Sequence, residues 1–229
     1  MKTIGLLGGM SWESTVTYYQ IINETVMKEL GGLHSAKILM YSVDFEEIER
    51  YQSSGEWDKS AAVLSDAAQR LEQAGADFIV LCTNTMHKVV PGIQSSIKIP
   101  LLHIAEVTAQ KLKEYGIQKV GLLGTKYTMT QDFYKKKLEE AGIEVLIPDA
   151  SAIDTINRII FDELCVGKIR DSSKRVFLRS IGWLRNRGAK GVILGCTEIG
   201  LLIHPEDVDM PIFDTALIHA KAAAYAAME

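Results

Sequence analysis

The chain has 229 residues, enough for one large domain or two small ones, each with its own hydrophobic core. Its hydrophobic share of 47% and charged share of 24% are typical of a soluble globular protein. The formal net charge of −4 argues against a nucleic-acid-binding surface and a polybasic membrane patch, and no apolar run approaches the ~18 residues of a membrane-spanning helix.

The cysteine content indicates the cellular compartment. Cys82, Cys165 and Cys196 are an odd number of cysteines for a chain of this size. This count argues against a disulfide framework and predicts a protein of the reducing cytoplasm. The first ten residues read as a strand rather than a secretory signal, because their apolar run is short and Glu13 follows soon after.

Predicted strands and helices alternate along the whole chain. In the first half, the pattern predicts strands at 2–7, 36–43, 78–82 and 101–104, helices from residue 12 to about 30, at 60–74 and at 107–115, and a charged loop or short helix at 44–52. In the second half, it predicts strands at 119–123, 144–147 and 192–194 and helices at 131–141, 154–164, 172–187 and 216–228. This alternation predicts an α/β fold with mostly parallel sheets.

The chain also contains an internal repeat. Residues 75–85 align without a gap with residues 188–198, which places Thr83 opposite Cys196. In the same order, residues 4–8 match 120–124 and residues 100–105 resemble 211–216. A period this long indicates one duplicated α/β unit rather than a solenoid. We therefore expect two pseudosymmetric subdomains, residues 1–105 with 214–229 and residues 106–213, with a small ligand in the cleft between them.

Cys196 follows the wholly apolar segment 192–194, so it lies at the carboxyl end of a predicted buried strand. Ligands of open α/β sheets bind at this edge, and free N–H groups there lower the pKa of a thiol. The alternative is a small buried apolar residue, which is what most free cysteines are. The repeat favours a chemical role, because both copies place a polar residue at this point.

Thr83, Asn84 and Thr85 follow the equivalent strand of the first copy. Their hydroxyl and amide groups suit an amino-acid carboxylate, although ordinary helix capping is the alternative. His87 either orients this loop or supplies a proton, and Glu198 either binds a ligand ammonium or caps a helix. No cluster of Cys and His has the spacing of a metal site, and neither glycine-rich nucleotide motif is present.

Four segments follow predicted strands and carry polar residues: Gly8-Gly-Met-Ser-Trp-Glu-Ser-Thr15, Thr83-Asn-Thr-Met-His87, Gly124-Thr-Lys-Tyr-Thr128 and Gly195-Cys-Thr-Glu198. Together these segments resemble the aspartate/glutamate racemase family over essentially the whole chain. The resemblance implies two pseudosymmetric α/β domains with the substrate between them, a homodimer, and no pyridoxal phosphate, other cofactor or metal. It also implies that one cysteine removes the α-proton as a thiolate and a second, on the opposite face of the substrate, returns a proton.

The chain departs from the family pattern at the first cysteine, where Thr83 stands. Cys82 does not replace it, because neighbouring side chains on a strand point to opposite faces. An alcohol does not ionise at neutral pH as a thiol can, so Thr83 is expected to donate or relay a proton. By the resemblance, the second cysteine works on the L-enantiomer. The hypothesis is conversion of L-glutamate or L-aspartate to the D-form, with Cys196 as the base.

The resemblance also assigns the substrate-binding residues. The α-carboxylate and ammonium are assigned to Asn84, Thr85 and Thr197, with Glu198 as a further contact for the ammonium and Thr125 from the second-copy turn. Met10 and Gln52 line the side of the first half. Lys168 is expected to hold the side-chain carboxylate, with Arg50 and Lys126 as rivals.

Two other readings stay open at this point. Relatives with a single active cysteine include decarboxylases and isomerases of small dicarboxylic acids, and Thr83 makes this reading possible. A non-catalytic protein that binds acidic amino acids is the other. The two differ from a racemase in whether the Cα–H bond of an amino acid exchanges with solvent.

Overall fold

The structure is a computed structural model that describes residues 1–229. The chain forms two compact units, Met1–Ile104 with His219–Glu229, and Ala105–Ile218. Each unit contains one four-stranded sheet, and all of the strand pairs are parallel. The predicted α/β class with mostly parallel sheets is confirmed. None of the helices combines the length and apolar character needed to cross a membrane.

The sheet of the first unit has the order β2-β1-β3-β4. Its central strands are buried along their apolar runs because helices cover both faces of a parallel sheet. The edge strand β2 is half-exposed. The strands are β1 (Thr3–Gly8), β2 (Lys37–Ser42), β3 (Phe78–Leu81) and β4 (Leu101–Leu102).

The sheet of the second unit repeats this topology, with the order β6-β5-β7-β8. Strand β5 therefore corresponds to β1, and β7 corresponds to β3, as the sequence repeat predicts. The segment 211–216, which resembles 100–105, supplies β8 just as 100–105 supplies β4. The strands are β5 (Lys119–Gly124), β6 (Glu144–Leu146), β7 (Val192–Gly195) and β8 (Ile212–Asp214).

The helices of the first half begin at recognisable caps. Ser11 caps the first helix by accepting a hydrogen bond from the N–H of Ser14, and Asp44 caps the second. The charged segment 44–52 is therefore helical. The apolar face predicted for 60–74 is buried on the third helix. The helices are α1 (Trp12–Leu30), α2 (Phe45–Ser54), α3 (Trp57–Gln73), α4 (Val90–Ser96) and α5 (Ile104–Glu114), with a 3-10 helix at Thr85–Val89.

The four helices predicted in the second half are present, and three of them begin earlier than predicted. The Asp149 carboxylate accepts the N–H of Ala152, so α8 begins four residues before the predicted position. The sequence did not predict α6. The helices are α6 (Lys126–Thr130), α7 (Asp132–Glu140), α8 (Ala150–Asp162), α9 (Asp171–Asn186) and α10 (Thr215–Met228), with 3-10 helices at Leu164–Val166, Ile199–Leu201 and Pro205–Asp207.

Close approach of β5 and β7 requires glycine where these strands end. A Cβ atom on Gly124 would lie 2.6 Å from the carbonyl oxygen of Gly195, and one on Gly195 would lie 3.0 Å from that of Leu123. The register pairs Gly124 with Gly195, so Thr125 and Cys196 leave the sheet side by side. This geometry fixes where the polar residues after each strand begin.

Candidate active site

Cys196 lies directly after β7 and is 7% exposed. Its thiol donates a hydrogen bond to Oε2 of Glu198 at 3.0 Å. The hydroxyl of Thr197 donates to the same oxygen at 2.8 Å. Glu198 is itself buried, so its carboxylate is held between the two side chains that precede it. The Gly-Cys-Thr-Glu motif thus forms a local hydrogen-bonded cluster.

The pKa of the Cys196 thiol is raised well above its ordinary value. Burial is the largest cause, the charge of Glu198 is the next, and Cys165 adds to both. The backbone N–H of Glu198 lowers the pKa, as the strand-end argument predicts, but burial and charge outweigh it. The expectation that this position lowers the pKa of the thiol is therefore wrong. The 3-10 helix that follows, Ile199–Leu201, has three residues and aligns few peptide dipoles.

Thr83 lies at the equivalent point of the first unit, two residues after β3, and is 8% exposed. Asn84 and Thr85 beside it are also buried. The Asn84 side chain makes no capping hydrogen bond to the 3-10 helix that follows, so the capping alternative does not describe it. Three polar side chains in sequence are therefore buried where β3 ends.

His87 fixes the loop that carries Thr83. Its Nε2 accepts the backbone N–H of Ile104 at 3.1 Å, so this nitrogen carries no proton. Its Nδ1 therefore carries the proton and donates it to the carbonyl oxygen of Thr83 at 2.8 Å. Burial lowers the pKa of His87 well below its ordinary value, and His103 and His219 lower it further. Of the two roles considered for His87, orientation of the loop fits this geometry and proton supply does not.

Met10 and Gln52 are buried near the same end of the first sheet. The register pairs Leu7 of β1 with Leu81 of β3, so the turn after β1 and the loop of Thr83 leave the sheet together. The Thr15 hydroxyl fixes that turn by accepting the N–H of Gly9 at 2.9 Å. Met10 packs in the hydrophobic core, and Gln52 is buried on α2.

In the second unit, the Thr125 hydroxyl accepts the N–H of Thr128 and so caps α6. Sequence reasoning assigned Thr125 to substrate binding and did not predict this capping role. Cys82, by contrast, lies in the core as expected. It is fully buried, its Sγ lies 3.6 Å from the carbonyl oxygen of Val80, and burial raises its pKa.

The three candidate cations for a side-chain carboxylate are all exposed: Arg50, Lys126 and Lys168. Arg50 lies over the ring of Tyr51, with its Cζ 5.1 Å from the ring centroid, and Lys126 lies over Tyr127 at 5.3 Å. Lys168 belongs to the segment that also carries Cys165, which raises the pKa of Cys196 and therefore lies close to it. Of the three cations, Lys168 is thus the one whose segment is tied to the surroundings of Cys196.

Glu163 anchors the segment of Lys168, and sequence reasoning missed it. Its carbonyl oxygen accepts the N–H of Lys168 at 2.8 Å. Its buried carboxylate accepts the hydroxyl of Ser173 at 2.6 Å and pairs with Arg170 at 3.4 Å. A glutamate at the end of a helix is usually solvated, so its position in the sequence indicates no buried role. Its partner Ser173 lies ten residues further along the chain, and a local sequence pattern does not reveal a contact at that distance.

No group of three or more His, Cys, Asp or Glu side chains is arranged to hold a metal ion.

The chain is similar to known racemases over nearly its whole length. The family model for Asp/Glu/hydantoin racemases matches residues 7–223. The broad specificity amino-acid racemase RacX of Bacillus subtilis (strain 168) is 25% identical over 232 residues, which cover 96% of this chain and 95% of RacX.

Two crystal structures are more similar still. One is a candidate Asp/Glu racemase from Yersinia pestis, with 53% identity, a TM-score of 0.92 and 100% coverage of both chains. The other is an aspartate racemase homologue from Pyrococcus horikoshii OT3, with 38% identity, a TM-score of 0.86 and 100% coverage of both chains.

Proposed function

Because the chain belongs to the Asp/Glu/hydantoin racemase family, we propose that it converts L-glutamate or L-aspartate to the D-enantiomer without a cofactor. Cys196 is the base that removes the α-proton, and Thr83 donates or relays a proton to the opposite face of the substrate. The observation that carries this proposal is the hydrogen bond from the Cys196 thiol to the Glu198 carboxylate at 3.0 Å.

The hydrogen bond gives the thiol proton a destination. When the proton passes from Sγ to Oε2 of Glu198, Cys196 becomes a thiolate and the carboxylate becomes neutral. The charge that raises the pKa of the thiol is then removed in the same step. The thiolate next takes the α-proton of the L-amino acid, and the electron pair of the broken C–H bond stays on the substrate as a carbanion.

Thr83 completes the reaction from the other face. Its hydroxyl gives a proton to the carbanion and takes one from solvent water, and the hydroxide that remains removes the proton held by Glu198, so the site returns to its starting protonation state. A relay of this kind is slower than delivery from a thiol, because the alcohol has the higher pKa. The two enantiomers have equal free energy, so kcat/KM is equal in the two directions. The asymmetry between the two faces lies in how often the carbanion is reprotonated to the L-form before it is protonated on the opposite face to give the D-form.

The remaining polar residues bind the substrate in this proposal. Asn84, Thr85 and Thr197 hold the α-carboxylate and ammonium, with Thr125 and Glu198 beside them. Their burial favours the role, since hydrogen bonds to a charged group are stronger where water is excluded. Lys168, on the segment anchored by Glu163, binds the side-chain carboxylate, and Met10 and Gln52 line the first-unit side.

Solvent exchange tests this function. Purified protein is incubated with L-glutamate or L-aspartate in D2O without added cofactor, and loss of the Cα–H signal is followed by proton NMR beside chiral analysis. Exchange with D-product, abolished by Cys196→Ala, supports the proposal and identifies the preferred substrate. Absence of exchange with both amino acids contradicts it.

Thr83 favours one second candidate, a decarboxylase or isomerase of small dicarboxylic acids that uses a single cysteine. Such an enzyme needs one proton delivery, and Cys196 is the thiol that lies in the polar cluster. Release of CO2 from a disubstituted malonate, without Cα–H exchange in either amino acid, would support this candidate over racemisation.

Cellular setting and assembly follow from the same considerations. The three free cysteines suit a reducing compartment, so we place the protein in the cytoplasm. We also propose a homodimer, as the resemblance implies.

A further inference from the structure

Helix α1 carries an exposed stripe of large apolar side chains. We define the apolar α1 face by Trp12, Val16, Tyr19, Met27 and Leu30. Their exposed fractions are 64%, 56%, 52%, 53% and 46%, in that order. Scattered exposed apolar residues are normal on a protein surface, but a row of them along one helix marks an interaction site. The half-buried Asn23 lies between Tyr19 and Met27 in this row.

The stripe is continuous with the buried side of the helix. At 3.6 residues per turn, the five residues lie on an arc next to the one that carries the buried Tyr18, Ile22 and Val26. Polar residues, among them Gln20 and Glu24, occupy the remaining arc. The buried arc and the apolar α1 face together span more than half of the circumference. A helix with one covered side needs an apolar stripe of only ~100°. The sequence of α1 therefore predicts that two sides of this helix are buried, whereas the contacts within one chain bury only one of them.

We propose that the apolar α1 face binds the same face of a second copy of this chain, about a two-fold axis near residue 21. This inference deepens the homodimer proposed above by naming its interface. Residues 12, 16, 19, 23, 27 and 30 are spaced by three or four positions, the spacing with which two helices pack side by side. A two-fold interface uses the same patch on both copies, so that patch must complement itself.

The stripe meets that condition in an antiparallel arrangement. Trp12 then faces the partner's Leu30, Val16 faces the partner's Met27, and Tyr19 faces the partner's Asn23. The Trp12 ring and the Val16 side chain at one end of each helix thus meet flexible aliphatic chains at the other end. No charged side chain lies on the stripe, so no like charges meet at the axis. Antiparallel helices also align their dipoles favourably.

The apolar α1 face supplies more than half of the area that a dimer needs. A standard interface removes ~800 Å² from each partner. Large side chains carry ~150–250 Å² each, so half-exposure of five of them gives roughly 500 Å² of apolar surface. Leu33, three residues after the end of α1, is also fully exposed. Gln20, Glu24 and Lys28 supply a polar rim beside the apolar α1 face, which is the usual anatomy of an interface rich in Trp, Tyr and Met.

Sedimentation of matched variants across a dilution series tests this interface. Wild-type protein is expected to sediment at twice the chain mass of 25.4 kDa. Val16→Lys and Tyr19→Lys each place a charge on the stripe of both copies and are expected to weaken the dimer at least ~30-fold, which leaves the chain monomeric. Gln20→Lys adds the same charge to the polar arc of the same helix and is expected to stay dimeric.

The outcomes separate the interface from the other proposals. Both altered side chains are more than half exposed, so circular dichroism should show an unchanged fold. A dimer that survives Val16→Lys and Tyr19→Lys overturns the apolar α1 face as the interface and leaves the homodimer standing. A monomeric wild type overturns both. Racemisation by the wild-type protein is measured separately and depends on neither result.

Discussion

At the scale of single residues, the chemistry of Cys196 depends on its neighbour two positions along the chain. Burial and the Glu198 carboxylate both favour the neutral thiol. The same carboxylate accepts the thiol hydrogen bond and can take the proton. A base that is protonated at rest and deprotonated within a cluster is protected from oxidation, because the thiolate is the reactive form.

Replacing Cys196 tests its role as the base. Cys196→Ala is expected to abolish Cα–H exchange from the L-amino acid, and Cys196→Ser to lower it ~10²–10⁴-fold, because the alcohol is a poorer general base at neutral pH. Cys165→Ala removes another thiol of the same unit and is expected to retain most of the activity. Proton NMR in D2O measures all three. Exchange at the wild-type rate in Cys196→Ala would refute the assignment.

Replacing Glu198 tests the proton transfer. In Glu198→Gln the amide cannot take the thiol proton, so kcat is expected to fall ~10–10³-fold. The negative charge that raises the pKa of Cys196 is also gone. In the wild type the thiol proton passes to Glu198, whereas in the variant it must leave to solvent. The activity of the variant relative to the wild type is therefore expected to increase as pH rises toward the thiol pKa, which the pH dependence of kcat/KM measures. A ratio of variant to wild-type activity that stays constant with pH would contradict the proton transfer to Glu198.

Sequence reasoning identified the residue types of this cluster but not their ionisation. The motif Gly-Cys-Thr-Glu after an apolar strand can be recognised in the sequence. Whether the thiol is neutral depends on its depth and on which way Glu198 turns, and neither is encoded in the local pattern. The capping role of Thr125 was likewise hidden, because α6 has only five residues and no periodicity to detect.

At the scale of elements, the ends of the strands set the position of the candidate site. Strands β5 and β7 approach closely because Gly124 and Gly195 have no side chains there. A methyl group at either position meets backbone atoms, which cannot move aside as a flexible side chain can. The glycine of the Gly-Cys-Thr-Glu motif is thus required by packing, whatever the chemistry of the next residue.

Gly124→Ala tests this close approach. The added Cβ would lie 2.6 Å from the carbonyl oxygen of Gly195, so the free energy of unfolding is expected to fall by ~1–3 kcal/mol. Gly182→Ala is the matched control, because it lies within α9 and its Cβ would meet no atom within 4 Å. That change should raise stability by ~0.5–1 kcal/mol. Urea unfolding measures both. Equal effects of the two substitutions would contradict the packing argument.

His219 joins three elements of the first unit. Its Nε2–H donates to the carbonyl oxygen of Leu102 on β4 at 2.9 Å, and its Nδ1 therefore accepts the hydroxyl of Tyr18 on α1 at 2.9 Å. Burial lowers the pKa of His219 to about 3. Helix α10 is thus attached to the sheet and to α1 through a neutral histidine.

This attachment makes stability depend on pH. The unfolded chain binds a proton at His219 near pH ~6.5, whereas the folded protein does not until about pH 3, so stability is present above ~6.5 and is lost as pH falls toward 3. The expected slope is ~1.4 kcal/mol per pH unit for this histidine, and His87 adds a loss of the same sign. His219→Gln keeps a donor and an acceptor and should flatten the slope. Urea titrations between pH 7 and 4 measure it. An unchanged slope would show that His219 does not carry the effect.

The elements predicted from the sequence are those whose apolar run or helical pattern extends over many residues. The apolar runs of β1, β3, β5 and β7 and the helical pattern of α3 each extend over enough residues to be recognised. The repeat then supplied the equivalence of β4 and β8. Short elements without a period, such as α4 and the 3-10 helices, depend on tertiary contacts and were missed.

At the scale of the whole molecule, two copies of one topology carry different side chains at equivalent points. The sheet orders β2-β1-β3-β4 and β6-β5-β7-β8 are the same, and Thr83 and Cys196 occupy equivalent points after β3 and β7. Their surroundings differ. The carbonyl oxygen of Thr83 is held by the neutral His87, whereas Cys196 faces a carboxylate. In the proposed reaction, these equivalent points are the two positions for proton transfer, and their different surroundings make them unequal.

The most direct test of this inequality compares solvent exchange with inversion. Each enantiomer of the preferred substrate is incubated in D2O with wild-type protein and with Thr83→Cys, and initial rates of Cα–H loss and of inversion are measured together. We expect wild-type protein to exchange the L-amino acid faster than it inverts it, because Cys196 returns deuterium to the same face before Thr83 acts. We also expect slow Cα–H loss from the D-amino acid, which Thr83→Cys accelerates. Equal rates of exchange and inversion in the wild type, or a D-amino acid rate that Thr83→Cys leaves unchanged, would contradict the assignment of Cys196 as base and Thr83 as relay.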